Sequence, residues 1–253
     1  PGSPLGVTII AGSTVTVPAA ITSSGKINNA ASITIKADSV SANAQLINIS
    51  GDLTATNSGG KITIDSSFGN GVTVSGNVTS AGDYTVTGGS VTLGAAGATV
   101  TQKAQGKVDI QAAAGDVTGL GTLTLQSNYL GGAANPSLTP VSVSATGGDV
   151  TLGSSSHLIG GTLAGRESDV QLTATTLSSA GGNILFGSAD GSTLVASFDQ
   201  DFTSRGKITT INDIDLEAIS ALGKITANSL QTLGLAKNIY INKTAGAYDD
   251  ATV

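Results

Sequence analysis

One phrase recurs along this chain: a glycine, then a polar residue, then aliphatic side chains alternating with hydroxyl or charged ones. It appears as Gly25-Lys26-Ile27, Gly51-Asp52-Leu53, Gly60-Lys61-Ile62-Thr63-Ile64, Gly82-Asp83-Tyr84-Thr85-Val86 and Gly106-Lys107-Val108-Asp109-Ile110. It continues as Gly148-Asp149-Val150-Thr151-Leu152, Gly182-Asn183-Ile184-Leu185-Phe186, Gly206-Lys207-Ile208-Thr209 and Gly223-Lys224-Ile225-Thr226. The intervals 60 to 82, 82 to 106 and 182 to 206 are 22 to 24 residues, and 106 to 148 is about twice that.

Apolar residues at i and i+2 occupy one face of a strand, so each phrase writes a strand and not a helix. A period of about 20–25 residues built from short strands marks a stack of units, each burying its apolar face against its neighbours. A unit holds two or three strand-like pieces, such as Tyr84-Thr85-Val86, Ser90-Val91-Thr92-Leu93 and Ala98-Thr99-Val100-Thr101. The expected fold is therefore an all-β parallel β-helix. At about 22 residues per coil and about 4.8 Å per stacked strand, it would have roughly eleven coils and be about 50 Å long. Gly and Asn are expected to supply positive-φ corners. The expected limits are a linker or expression remnant at 1–6, a rod at 7–245 with loops leaving it near 130–137 and 154–167, and a tail at 246–253. A β-sandwich is the competing fold, although Asn70-Gly71 and Asp190-Gly191 are its few hairpin signals. The run from Ile214 to Leu222 could also be written as a short helix, but Gly223-Lys224-Ile225-Thr226 resumes the strand pattern.

The composition suits so narrow a fold. Aromatics are 3% and charged residues 11% of 253 residues, and a thick aromatic core cannot be built from that. Hydrophobic residues at 39% are nonetheless too many for a disordered linker. The net charge of −6, with Arg166 and Arg205 the only arginines, argues against a nucleic-acid partner, which clustered Lys and Arg would bind. No cysteine is present, so disulfides, thiolate catalysis and Cys-type metal sites are excluded. The absence of methionine suggests a piece of a longer protein. No apolar run approaches the roughly 20 residues of a transmembrane helix, so membrane insertion is not expected.

Catalytic constellations are sparse. The single histidine, His157, lies in Ser154-Ser155-Ser156-His157-Leu158 with no acid beside it and no nucleophile elbow. Asp199-Gln200-Asp201 and Asp213-Ile214-Asp215 each place two acids at i and i+2. A hard cation such as Ca²⁺ would suit them if loop carbonyls completed its shell. A solvated outer face is the competing reading, and no other cofactor is implied. Polysaccharide lyases and hydrolases need a groove with acids, or a base with cations, and two arginines with nine dispersed lysines supply little of that. Thr-x-Thr pairs such as Thr14/Thr16, Thr54/Thr56 and Thr85/Thr87 raise the thought of an aligned hydroxyl face, but they are unevenly spaced. Threonine's ordinary preference for exposed strand positions accounts for them.

Gly-Gly-Asp-Val-Thr-Leu at 147–152, Gly-Gly-Lys-Ile-Thr-Ile at 59–64, Gly-Gly-Asn-Ile-Leu-Phe at 181–186 and Gly-Asp-Val-Thr-Gly-Leu-Gly-Thr-Leu-Thr-Leu at 115–125 resemble the repeats of filamentous-haemagglutinin-like exoproteins. The likeness covers roughly residues 25–245. It implies a right-handed parallel β-helix from a bacterial adhesin exported by two-partner secretion. The family's export domain carries an Asn-Pro-Asn-Gly pattern, and here Asn135-Pro136-Ser137-Leu138 is incomplete and misplaced, so the resemblance implies shaft and not export domain. The expected function is a structural and binding segment of an extracellular or cell-surface adhesin. Its expected partners are host glycans, biofilm polysaccharide, cell-surface receptors or further copies of itself. A surface-lattice or filament subunit is the second reading, and a polysaccharide-active enzyme the third.

Overall fold

The computed structural model describes residues 6–12, 14–23, 32–37, 46–66, 70–127, 129, 141–146, 148 and 150–151. It also describes the strand backbone of 152, 155–159, 170–179, 183–186, 194–210, 214–218, 225–232, 239–241, 243–244 and 247–248. The chain is all-β there, and its strands pair in parallel in three ladders. The first ladder stacks Val7–Ala11, Ile33–Ala37, Ile62–Asp65, Tyr84–Gly88, Val108–Ala112 and Val141–Ala145. It continues through residues 170–174 and 194–198 to Ile214–Ala218 and Ile239–Ile241. The second stacks Val15–Val17, Ile47–Ile49 and Gly71–Val74 under residues 91–94, 117–120, 150–152, 177–179, 202–204 and 225–227. The third stacks Ile21–Ser23, Leu53–Ala55 and Val78–Ser80 under 102–104, the end of Val117–Gln126, Ser155–Ile159, Asn183–Phe186 and later strand segments.

The chain visits the first, second and third ladders in that order before returning to the first, which is the connectivity of a parallel β-helix. This excludes the sandwich reading, which needs antiparallel hairpins. Among the described residues one antiparallel pair occurs, Lys243–Thr244 with Ala247–Tyr248, the latter inside the expected tail. Asn70-Gly71 makes no hairpin, since Gly71 opens a parallel strand. Ile214–Ala218 is a strand of the first ladder and not the start of a helix.

Alternation decides which face goes inward. Ile33, Ile62, Tyr84, Val108 and Val141 occupy one register position of the first ladder, and all are fully buried. Val15, Ile47, Val72, Val91, Val117 and Val150 occupy one position of the second and are buried, Val15 least completely. Each fully buried aliphatic of this size contributes about 1.5–3 kcal/mol relative to exposure, so the interior column is the principal source of stability.

The period is looser than about 22 residues. Register partners on the first ladder are 20 residues apart at Leu194 and Ile214 and 33 apart at Val108 and Val141. The longest step contains the expected loop at 130–137, which lies outside the described residues. Of the other expected loop, 154–167, Ser155–Ile159 is a ladder strand and 160–167 lie outside the described residues. Backbone groups at 155–159 complete their hydrogen bonds in the ladder, which a departing loop would forgo.

Glycine supplies positive φ as expected, at Gly59, Gly94, Gly97 and Gly121 among the described residues. The phrase glycines have another role and sit where stacked corners touch. A Cβ on Gly82 would stand 2.8 Å from the Gly59 carbonyl oxygen, and one on Gly51 or Gly76 would strike the backbone of Ala19 or Gly51. The phrase opens strands in every ladder, at Ile62 in the first, Val117 in the second and Leu53 in the third. It marks a corner, not a period.

Candidate functional site

Two polar columns run along these corners. In front of the first ladder, the Lys61 amide donates to Ser32 Oγ at 3.1 Å and the Lys107 amide to Asp83 Oδ1 at 3.2 Å. Lys61 Nζ lies 2.8 Å from Asp83 Oδ2, and Lys107 Nζ turns to Asp109 Oδ2 at 2.8 Å. In front of the third ladder, the Asn77 amide and Nδ2 donate to Asp52 Oδ1 at 2.8 and 3.2 Å, and Asn77 Oδ1 accepts from the Thr101 amide at 3.0 Å. At each step a corner side chain takes a backbone donor of the next strand that the curving ladder leaves without a carbonyl.

The first column borders an open groove of about 270 Å³ lined by Ser58, Lys61, Gly82, Asp83, Gln105 and Gly106. Its floor is backbone, because the glycines have no side chains to fill it. The Gly82 amide donates to the Gly60 carbonyl at 2.7 Å and the Gly106 amide to the Gly82 carbonyl at 2.9 Å. The Lys61–Asp83 pair leaves the groove locally neutral, with a carboxamide at Gln105. Such a lining can hydrogen-bond a small hydroxylated molecule.

The outward faces of the first two ladders differ. One outward column of the first ladder reads Thr8, Thr34, Thr63, Thr85, Asp109 and Ser142 in register. Beside it Lys36 Nζ meets its register partner Asp65 at 3.3 Å, and Gln111 Nε2 donates to Asp109 Oδ1 at 3.0 Å. The outward column of the second ladder reads Thr16, Asn48, Thr73, Thr92, Thr118 and Thr151. The uneven spacing of threonines in the sequence thus becomes regular in space, because unequal connections separate strands that share one register.

Three of the four expected metal ligands lie on two neighbouring strands. Asp199 and Asp201 lie in the strand Leu194–Thr210, where Asp201 is opposite Thr176. Asp215 is opposite Val195 and Tyr240, four residues before Asp199 along the neighbouring strand. At about 3.3 Å per residue that offset is roughly 13 Å. Asp213 lies outside the described residues. Among the described residues no cluster of three metal-ligating side chains occurs. His157 occupies a third-ladder position opposite Thr124 and Leu185. Of the tyrosines, Tyr129 stacks under Lys103, whose Nζ is 4.7 Å from the ring centre, and Tyr84 is interior. Arg166 lies outside the described residues, and Arg205 belongs to Leu194–Thr210.

The core holds a polar pair that the sequence reading did not single out. Tyr84 of the first ladder donates its hydroxyl to Gln102 Oε1 at 3.1 Å, and Gln102 of the third donates Nε2 to the Val74 and Gly76 carbonyls at 3.0 and 3.4 Å. Both side chains are fully buried, and burial pushes the Tyr84 phenol far above its ordinary pKa. Gln102 ties the second-to-third corner to the first ladder. The one available signal was a glutamine at an inward position, in Thr101-Gln102-Lys103-Ala104.

Among the described residues no helix is long and apolar enough to cross a membrane. No protein-family model, curated protein or solved structure matches the chain.

Proposed function

We propose that this chain is a structural and binding segment of a secreted or surface-attached bacterial adhesin, acting by contact and not by catalysis. The observation that carries the reading is the division of labour in the strands. Inward positions are spent on a mainly apolar column that takes in a few satisfied polar groups such as Gln102, and outward positions on hydroxyl, amide and paired charged groups repeated strand after strand. A stack of this kind displays the same chemistry many times along its length, and such repetition suits multivalent contact with a repetitive partner. The likeness of the Gly-Gly-Asp/Lys/Asn phrases to filamentous-haemagglutinin-like repeats supports an extracellular location and the same role. The partners we propose are glycans, either on cells or in a biofilm matrix, with self-association as a further contact.

A binding survey tests this. The purified chain is presented with a glycan panel, a bacterial exopolysaccharide and intact cells at low and high ionic strength. Saturable binding to any of them is the expected result. Absence of binding throughout, or cleavage of a polysaccharide by the chain, would overturn the reading.

A further inference from the structure

Resting on that reading, we propose that the groove at the third-to-first corner is a site for one ring of a neutral sugar, held by two adjacent hydroxyls. The groove follows from the lengths of the connections. Between the third and first ladders the chain takes six residues at 56–61 but three at 81–83 and three at 105–107. The two short corners are recessed beside the longer one, which supplies Ser58 and Gly59 to the lining. The stack itself keeps the short corners bare. A Cβ on Gly82 would press on the Gly59 carbonyl, and one on Gly106 on the Asp83 carboxylate. The close approach of the corners and the open groove therefore have one cause.

The polar residue that follows the glycine in the phrase arms this groove. Lys61 and Asp83 are the only charged residues of its lining, and their Nζ and Oδ2 stand 2.8 Å apart. Adjacent hydroxyl oxygens of a sugar ring are separated by about as much. One hydroxyl can therefore donate to the carboxylate while its neighbour accepts from the ammonium, and both bonds are charge-assisted. The carboxylate is aimed in advance. Its Oδ1 accepts from the Lys107 amide at 3.2 Å, and its side chain is only 21% exposed, so little ordering remains to be done on binding. Among the described residues the other lysine–aspartate pairs, Lys36–Asp65 and Lys107–Asp109, do not line the groove.

Size and charge select the ligand. At about 270 Å³ the groove is smaller than the roughly 300–1,000 Å³ of sites that enclose drug-sized molecules. It takes a single ring, and the rest of a glycan leaves through its open side. The charges of Lys61 and Asp83 cancel, so an acidic sugar gains no net attraction over a neutral one. A half-exposed ion pair adds little to stability, so either charge can be removed with the fold intact. Asp83→Asn also keeps a carbonyl oxygen for the Lys107 amide, which separates recognition from closure of the corner.

The experiment follows backbone amide shifts of the parent chain and of Lys61→Ala, Asp83→Asn and Lys36→Ala variants, with circular dichroism verifying each fold. The probes are methyl α-mannoside, methyl β-galactoside, their deoxy analogues lacking one hydroxyl of an adjacent pair, methyl β-glucuronide and glycerol. With at least one neutral glycoside, saturable shifts centred on Gly59, Gly82 and Gly106 are expected, at lower concentrations than with the glucuronide or glycerol. Lys61→Ala, Asp83→Asn and loss of one paired hydroxyl should each weaken binding by about tenfold or more, as loss of a hydrogen bond to a charged group does. Lys36→Ala should bind like the parent. A parent that binds a polysaccharide or cells but shows no groove shifts with any glycoside would overturn the site and leave the adhesin reading standing. Full binding by folded Lys61→Ala or Asp83→Asn would do the same, as would glycerol or the glucuronide held as tightly as the neutral glycosides. No binding by the parent to any sugar, polysaccharide or cell would overturn both.

Discussion

The outer faces of the first and second ladders stand on the same interior and yet carry different chemistry. Behind each, Ile, Val and Leu stack in register and are fully buried. In front, the first ladder passes from threonine to Asp109 and gathers the Lys36–Asp65 and Lys107–Asp109 pairs, while the second keeps a neutral hydroxyl or amide row. Because the interiors are equivalent, the difference between the fronts lies in their outward residues alone. The inner faces fix the stack, and the outer faces vary on top of it.

The strongest way to break this comparison is to truncate the interior behind each face. Ile62→Ala in the first ladder and Ile47→Ala in the second remove fully buried side chains and should each cost about 2–5 kcal/mol in denaturant unfolding. A large cost for one and almost none for the other would mean that the ladders do not share an interior. Next comes the corner joining the second ladder to the third. A methyl group on Gly76 meets the Gly51 backbone, so Gly76→Ala should lower stability by about 1–3 kcal/mol, read from the unfolding midpoint.

Tyr84→Phe leaves Gln102 Oε1 without its donor and should cost about 1–3 kcal/mol. The same residue gives a pH signature. Burial raises the phenol's pKa in the folded state, while the unfolded chain releases that proton near the usual value of about 10. The contribution is therefore complete below pH of about 10 and is lost as pH rises above it, so alkaline unfolding should be less steep in the Tyr84→Phe variant. The smallest effects sharpen the comparison. Lys61→Ala removes a half-exposed ion pair and should change stability by under about 1 kcal/mol, less in high salt. Thr92→Val and Thr85→Val should both stay within about 0.5 kcal/mol of the parent in thermal unfolding, so the two fronts are expected to contribute equally little to stability.

Much of this fold was legible in the sequence, because alternation is local. Val72-Thr73-Val74 and Ile62-Thr63-Ile64 state which side chains go inward without reference to any other part of the chain. Register was not legible. Thr73 and Thr92 are 19 residues apart and Thr118 and Thr151 are 33 apart, yet both pairs are neighbours across one ladder. Connections of unequal length hid the hydroxyl row, and a pattern of Thr-x-Thr along the chain was the wrong direction in which to look. The close approach at the phrase glycines was not legible, because φ and close approach leave the same letter in a sequence. The Tyr84–Gln102 pair joins different ladders and was beyond any local pattern. The acids at 199, 201 and 215 are close in sequence, but register offsets Asp215 from the other two.

The central claim is that the outward positions of the second ladder form one row with one residue per strand. The chain has no cysteine, so pairs of spin labels can be placed at Thr16→Cys with Thr118→Cys and at Thr16→Cys with Thr151→Cys. The register puts four strand steps between the first pair and five between the second. Pulsed electron–electron resonance should then give separations near 19 and 24 Å, rising by about 4.8 Å for the added step although positions 118 and 151 are 33 apart in sequence. Two distances that coincide, or a difference far larger than one strand spacing, would contradict the stacked ladder.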